Sequence, residues 1–159
     1  MKRLSSLCCA IALMIGMTLV VSTNAQAESS LKIIDGSYLT HDNESIGYDT
    51  KITRGEDLLV GYSKCVDQGP GEIYVGGTTI AAHTVERVGL SVIVERAKEE
   101  DTSWDYCDSW QKFNENSDRA SSSKPLEVEG DYYYRVRCIH SAGNDVSSSF
   151  TDGVYIEKP

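Results

Sequence analysis

Cys138 and His140 stand two residues apart in a segment that reads as extended chain, so their side chains share one face. A thiol beside an imidazole is the pair a cysteine nucleophile needs. Such a site also needs a depressed thiol pKa and a surrounding motif, and nothing in the flanking sequence supplies one. His41 and His83 form no His-x-His strand pair and no i, i+4 helical pair, so a metal site would have to be assembled by the fold. Glu99, Glu100, Asp101, Asp105 and Asp108 offer the oxygen ligands that calcium takes, but without the spacing of an EF-hand loop. A solvated charge run is the simpler account. The serines at 121–123 and 147–149 lack a Gly-x-Ser-x-Gly frame, and no phosphate loop or dinucleotide fingerprint occurs. The expectation is a chain that is not an enzyme, with no catalytic residue, no cofactor and no metal.

The aromatic residues carry a different chemistry. Trp104, Tyr106, Trp110, Tyr133 and Tyr155, if several faced outward, would make a stacking surface for sugar rings or a protein partner. Core closure and cross-strand pairing compete with that role.

The N-terminus says where these groups would work. Lys2 and Arg3 precede an apolar run from Leu7 to Val21, and Ala25-Gln26-Ala27 follows. That order is a secretory signal peptide over residues 1–27, with cleavage after Ala27. Cys8 and Cys9 leave with it. Removing Lys2 and Arg3 from a net charge of −9 leaves −11 on a mature chain of about 130 residues. An acidic chain without a Lys/Arg run excludes nucleic acid and anionic lipid as partners. The mature form is expected not to span a membrane, to sit in the extracellular or cell-wall space, and to meet an extracellular glycan or protein.

The elements that must position the chemistry follow a period of two. Residues 28–56 are polar and turn-rich and read as an extended N-terminal arm, with Ile33, Ile34, Tyr38 and Leu39 available to dock it. From residue 57 to 159 short alternating runs predict one β domain: Leu58, Val60 and Tyr62; Ile73 and Val75; Val88, Leu90, Val92 and Val94; Tyr132, Tyr134, Val136 and Cys138; Val154 and Ile156. Gly76-Gly77 suggests a bulge, and residues 114–124 read as a polar loop. The fold class is all-β, in the form of a β-sandwich of about seven strands.

The run from Pro125 to Cys138, with Ala142-Gly143-Asn144 after it, resembles the E–F–G part of a fibronectin type III domain. Leu126 and Tyr132 have the family's leucine-to-tyrosine spacing. The resemblance implies an immunoglobulin-like sandwich with Tyr132 as its tyrosine corner. It also implies a staple between Cys65 and Cys138; Cys107–Cys138 is the rival pairing, and no bridge is the third possibility. Three cysteines leave one thiol over in any case. A bridge closing roughly 70 residues would contribute about 3–5 kcal/mol. The blocks Gly36-Ser37-Tyr38, Arg54-Gly55-Glu56, Val75-Gly76-Gly77-Thr78-Thr79, Tyr132-Tyr133-Tyr134-Arg135-Val136 and Phe150-Thr151-Asp152-Gly153-Val154-Tyr155-Ile156 are similar to a family of small secreted proteins of Gram-positive bacteria, a domain of unknown function. That resemblance implies secretion and a single β domain, and brings no activity.

Overall fold

A computed structural model describes residues 31–49 and 55–159. The expected leader, its cleavage position after Ala27 and Arg54 of the family block lie outside the described residues. Leu31–Pro159 forms one compact unit.

The described residues are all-β and hold nine strands rather than about seven: β1 Ile33–Ile34, β2 Ser37–Thr40, β3 Glu44–Tyr48, β4 Leu58–Gly69, β5 Glu72–Ala97, β6 Asp105–Glu127, β7 Tyr132–Ala142, β8 Asp145–Phe150 and β9 Gly153–Ile156. They join in one mixed sheet of order β1-β2-β9-β7-β5-β4-β3, with β6 added to β5 and β8 to β7. All pairs are antiparallel except β2 with β9.

The sheet curls because its longest hairpin bends. The first half of β5 pairs with β4 and its second half with β7, while β6 follows both halves along the other side. Between Ile80 and Val85 the β5–β6 register breaks, and Asn116 on β6 takes a φ of 46°. Extra residues in one strand of a pair bend it sharply. The two halves of β6 then face each other: Lys124 pairs with Asp108 at 2.8 Å, and the Trp110 indole donates to Ser122 Oγ at 2.9 Å. This zipper closes one side of a half-barrel. The glycines expected to mark the bend serve packing instead: a Cβ on Gly77 would lie 2.6 Å from Cys138 Sγ and from Tyr62 O.

The core between the halves holds the alternating residues that the period of two selects: Val75, Val88, Leu90, Val92, Val94, Val136, Val154 and Ile156 are all 1% exposed or less. Two expectations fail at the flanks. Residues 114–124 are strand, not loop, because the β5 ladder satisfies their backbone while their polar side chains stay in solvent. Residues 28–56 are not a bare arm: they carry β1, β2 and β3, with Ile34, Ser37 and Leu39 buried. Ile34, Leu39, Ala97 and Tyr133 form a second small core, closed by Trp104 and Tyr155.

Candidate functional site

The five nominated aromatics do not share one face. Trp110 seals the zipper on β6, with Lys124 Nζ 4.2 Å from its ring. Trp104 donates its indole N–H to Ile34 O at 2.8 Å and stacks under Arg135. Tyr106 is exposed, its hydroxyl 3.0 Å from Ser109 Oγ. Tyr133 on β7 and Tyr155 on β9 are cross-strand neighbours, with ring centroids 5.2 Å apart.

That pair builds the candidate site. His41, just past β2, packs against both rings at 4.7 and 5.7 Å, and its Nε2 lies 3.2 Å from the Tyr133 hydroxyl. At such separations the three rings touch one another. They make one wall and leave no gap for a cation to enter between them. Across an open cleft of about 330 Å³ stands the β5–β6 turn, carrying Lys98, Glu99 and Glu100. The turn is rigid: Asp101 Oδ2 accepts from Lys98 N at 2.7 Å, and Lys32 binds the carbonyls of Glu99 and Asp101. Asp131 completes the floor, accepting from the Tyr155 hydroxyl at 3.2 Å and from Lys158. The Lys158 hydrogen bond holds the Asp131 carboxyl below its ordinary pKa. Burial, then the Glu99 charge, push the Tyr133 phenol up, so it stays a neutral hydrogen-bonding group.

Sequence reasoning nominated Tyr133 and Tyr155 but passed over His41 as a partner for them. Its signal, a ring residue just after Leu39-Thr40, is too weak to pair with residues 92 and 114 positions away. The acidic cluster disperses: Asp101 caps the turn, Asp108 binds Lys124, and Glu99 and Glu100 face the cleft. Among the described residues no three His, Cys, Asp or Glu side chains gather to hold a metal.

The backbone hydrogen bond expected of Tyr132 is made by Tyr134 instead. The Tyr134 hydroxyl donates to Glu129 O at 2.7 Å, while the Tyr132 ring lies under Arg96 and Lys98. Both point to one face, but position 134 lies deeper in the sheet, at 1% exposure. The two bridges considered are also absent among the described residues, where Cys65, Cys107 and Cys138 are free thiols. Cys65 faces Val75, whereas Cys138 sits over Gly77, two residues further along β5 and about 7 Å away on the strand. That exceeds the Cβ separation a disulfide tolerates. Burial pushes the Cys65 and Cys138 thiols up to about 12, and burial raises Cys107 too. Fully buried thiols such as Cys65 and Cys138 are inert nucleophiles.

His140 does not meet Cys138. Its Nδ1 lies 2.9 Å from Thr79 Oγ1 and its Nε2 2.8 Å from Ser149 Oγ. Thr79 already donates to Gly89 O at 2.8 Å, so its oxygen accepts from Nδ1–H, and Nε2 accepts the Ser149 hydroxyl. The Ser–His–Thr chain has the connectivity of a hydrolytic relay. All three residues are 1% exposed or less.

No family model and no curated protein matches this chain. Among solved structures, the solution structure of R. palustris CsgH is similar over 57% of this chain and 87% of that one, with 15% identity and a TM-score of 0.38. A likeness at that level carries neither topology nor role across. No helix of the described residues is long and apolar enough to cross a membrane.

Proposed function

We propose that this is a secreted, non-catalytic binding protein of the extracellular or cell-envelope space that takes a carbohydrate at the cleft between Tyr155 and the 98–101 turn. One observation carries the proposal: an aromatic wall faces paired carboxylates across an open cleft held on rigid strands. The ring faces of Tyr155 and His41 suit the C–H face of a pyranose. Glu99, Glu100 and Asp131 are acceptors for its hydroxyls, and Lys98 is a donor. The sealed Ser149–His140–Thr79 chain and the raised thiol pKa values favour binding over catalysis. Export rests on the leader pattern of residues 1–27. We read the two facing halves as a variant of the immunoglobulin and fibronectin-III sandwich, supported by the Tyr134–Glu129 corner bond. Kinship with the small secreted Gram-positive proteins is proposed on the sequence blocks alone.

A glycan array followed by calorimetry on the best hit tests the binding reading. Tyr155→Ala should weaken binding about tenfold, the loss of one aromatic contact of about 1–1.5 kcal/mol. Folded protein that binds no glycan, or binding unmoved by Tyr155→Ala, overturns it.

A further inference from the structure

The cleft beside Tyr155 has two unlike sides. The Tyr155, Tyr133 and His41 rings make an apolar wall on one of them. The β5–β6 turn presents Glu99 and Glu100 on the other, both exposed. The cations of the neighbourhood are engaged elsewhere. Lys98 Nζ lies over the Tyr132 ring, 5.1 Å from its centroid. Lys158 pairs with Asp131, and Lys32 donates to the carbonyls of Glu99 and Asp101. Among the described residues no Lys, Arg or His side chain lies within ion-pair distance of either glutamate. The Glu99 charge nevertheless reaches the aromatic wall, where, after burial, it is the next cause of the raised Tyr133 pKa. Among the same residues the carboxylates do not gather closely enough to hold a metal ion. A cation suited to both sides is one carried on a larger body that also covers the rings.

Resting on the carbohydrate reading of this cleft, we propose that the sugar it takes is an amino sugar with a free amine, its ring on Tyr155 and His41 and its ammonium against Glu99 and Glu100. Three sugar chemistries compete for the site. A uronate or a phosphorylated sugar brings more negative charge to two unpaired carboxylates and is repelled. A neutral or N-acetylated sugar stacks on the rings equally well. It covers the glutamates without answering their charge, however, and taking water from an unpaired carboxylate is costly. An ammonium brings three donors and a positive charge to two acceptor carboxylates, and charge-assisted hydrogen bonds are the stronger class. The net charge of −9 adds long-range attraction for a cationic glycan and repulsion for an anionic one. The cleft of about 330 Å³ lies at the small end of ligand sites, which suits a short stretch of such a chain.

Calorimetry at about 0.05 M salt with three tetrasaccharides of one linkage tests this. They are the glucosamine tetramer of the chitosan series, its fully N-acetylated chitin counterpart and cellotetraose. The glucosamine tetramer should bind roughly tenfold more tightly than either neutral one, and about 0.5 M salt should narrow the gap. Tyr155→Ala should weaken it, which places the ligand in this cleft. Glu99→Gln and, separately, Glu100→Gln should each weaken it about threefold, the size of a partly exposed ion pair, and leave the neutral sugars unmoved. Glucosamine binding that both glutamine variants or Tyr155→Ala leave unchanged overturns the proposal, because the amine is then held by the acidic surface at large. A neutral or acidic sugar bound as tightly through Tyr155, here or on the glycan array, refutes the amine and leaves the carbohydrate reading standing. If no sugar binds in either experiment, both fall.

Discussion

Lowering the pH from 7 to 5 tests the core most directly, through His140. The ring is fully buried on β7, and Gly61 passes so close that a Cβ there would strike it. Both ring nitrogens are committed, Nδ1 as donor to Thr79 and Nε2 as acceptor from Ser149. A second proton would turn Nε2 into a donor facing a hydroxyl and put a charge among apolar side chains. Burial therefore lowers the His140 pKa from 6.5 to about 4, against a small opposing pull from Asp49. The folded state refuses a proton that the unfolded chain accepts below about pH 6.5. The stability this contributes is whole above that pH. It is lost progressively as pH falls and is gone below about pH 4. At 1.36 kcal/mol per pH unit the full window is worth about 3 kcal/mol, and about 2 kcal/mol of it is gone by pH 5. The assay is urea denaturation of the native protein and of His140→Gln at a series of pH values. The difference between them cancels the carboxylates common to both. The variant's deficit at pH 7 should shrink by about 2 kcal/mol at pH 5. A deficit independent of pH refutes the reasoning. So does an NMR titration of the folded protein in which the His140 ring protonates near pH 6.5, a test that does not depend on the variant folding.

The packing and charge arguments extend to three other places. Gly77→Ala should cost about 1–3 kcal/mol by overpacking, with Cys138→Ala recovering part of it in the double variant, both read by denaturant melts. Arg135→Met should cost about 3 kcal/mol and speed amide exchange in β1 and β2, because it takes the buried one of two guanidinium partners from Glu95 and releases Asp35 and Ser37; Arg137→Ala, at the half-exposed end of the same network, should do far less. Of the three described cysteines, a thiol reagent should label Cys107 alone in the folded protein, and Cys65 and Cys138 only in denaturant; mass spectrometry of the labelled peptides decides it.

The alternation in residues 88–94 and 132–138 was enough to name the inward positions, because side-chain parity on a strand is local. Depth is not local. Parity puts Tyr132 and Tyr134 on the same face, yet only the sheet around them decides that Tyr134 is sealed and bonds back to Glu129 O. The strand at residues 114–124 was illegible for a related reason. Its side chains are polar and solvated, and what makes it a strand is a backbone ladder to residues far earlier in the chain. The strands of residues 28–56 are not legible locally, because the guanidinium that anchors them, on Arg135, lies about 100 residues downstream of Asp35 and Ser37.

By itself the sequence determined that the chain is β and which residues of the strands at 88–94 and 132–138 turn inward; in β4 a register shift after Leu58 buries Gly61 and Ser63 in place of Val60 and Tyr62. Periodicity and short motifs are properties of neighbouring residues. Only the tertiary structure decided that His41 joins Tyr133 and Tyr155 in one wall, that Cys65 and Cys138 miss each other, and that β6 folds to face itself. Those outcomes depend on strand register and on one bend in a long hairpin, which no local pattern of residues encodes.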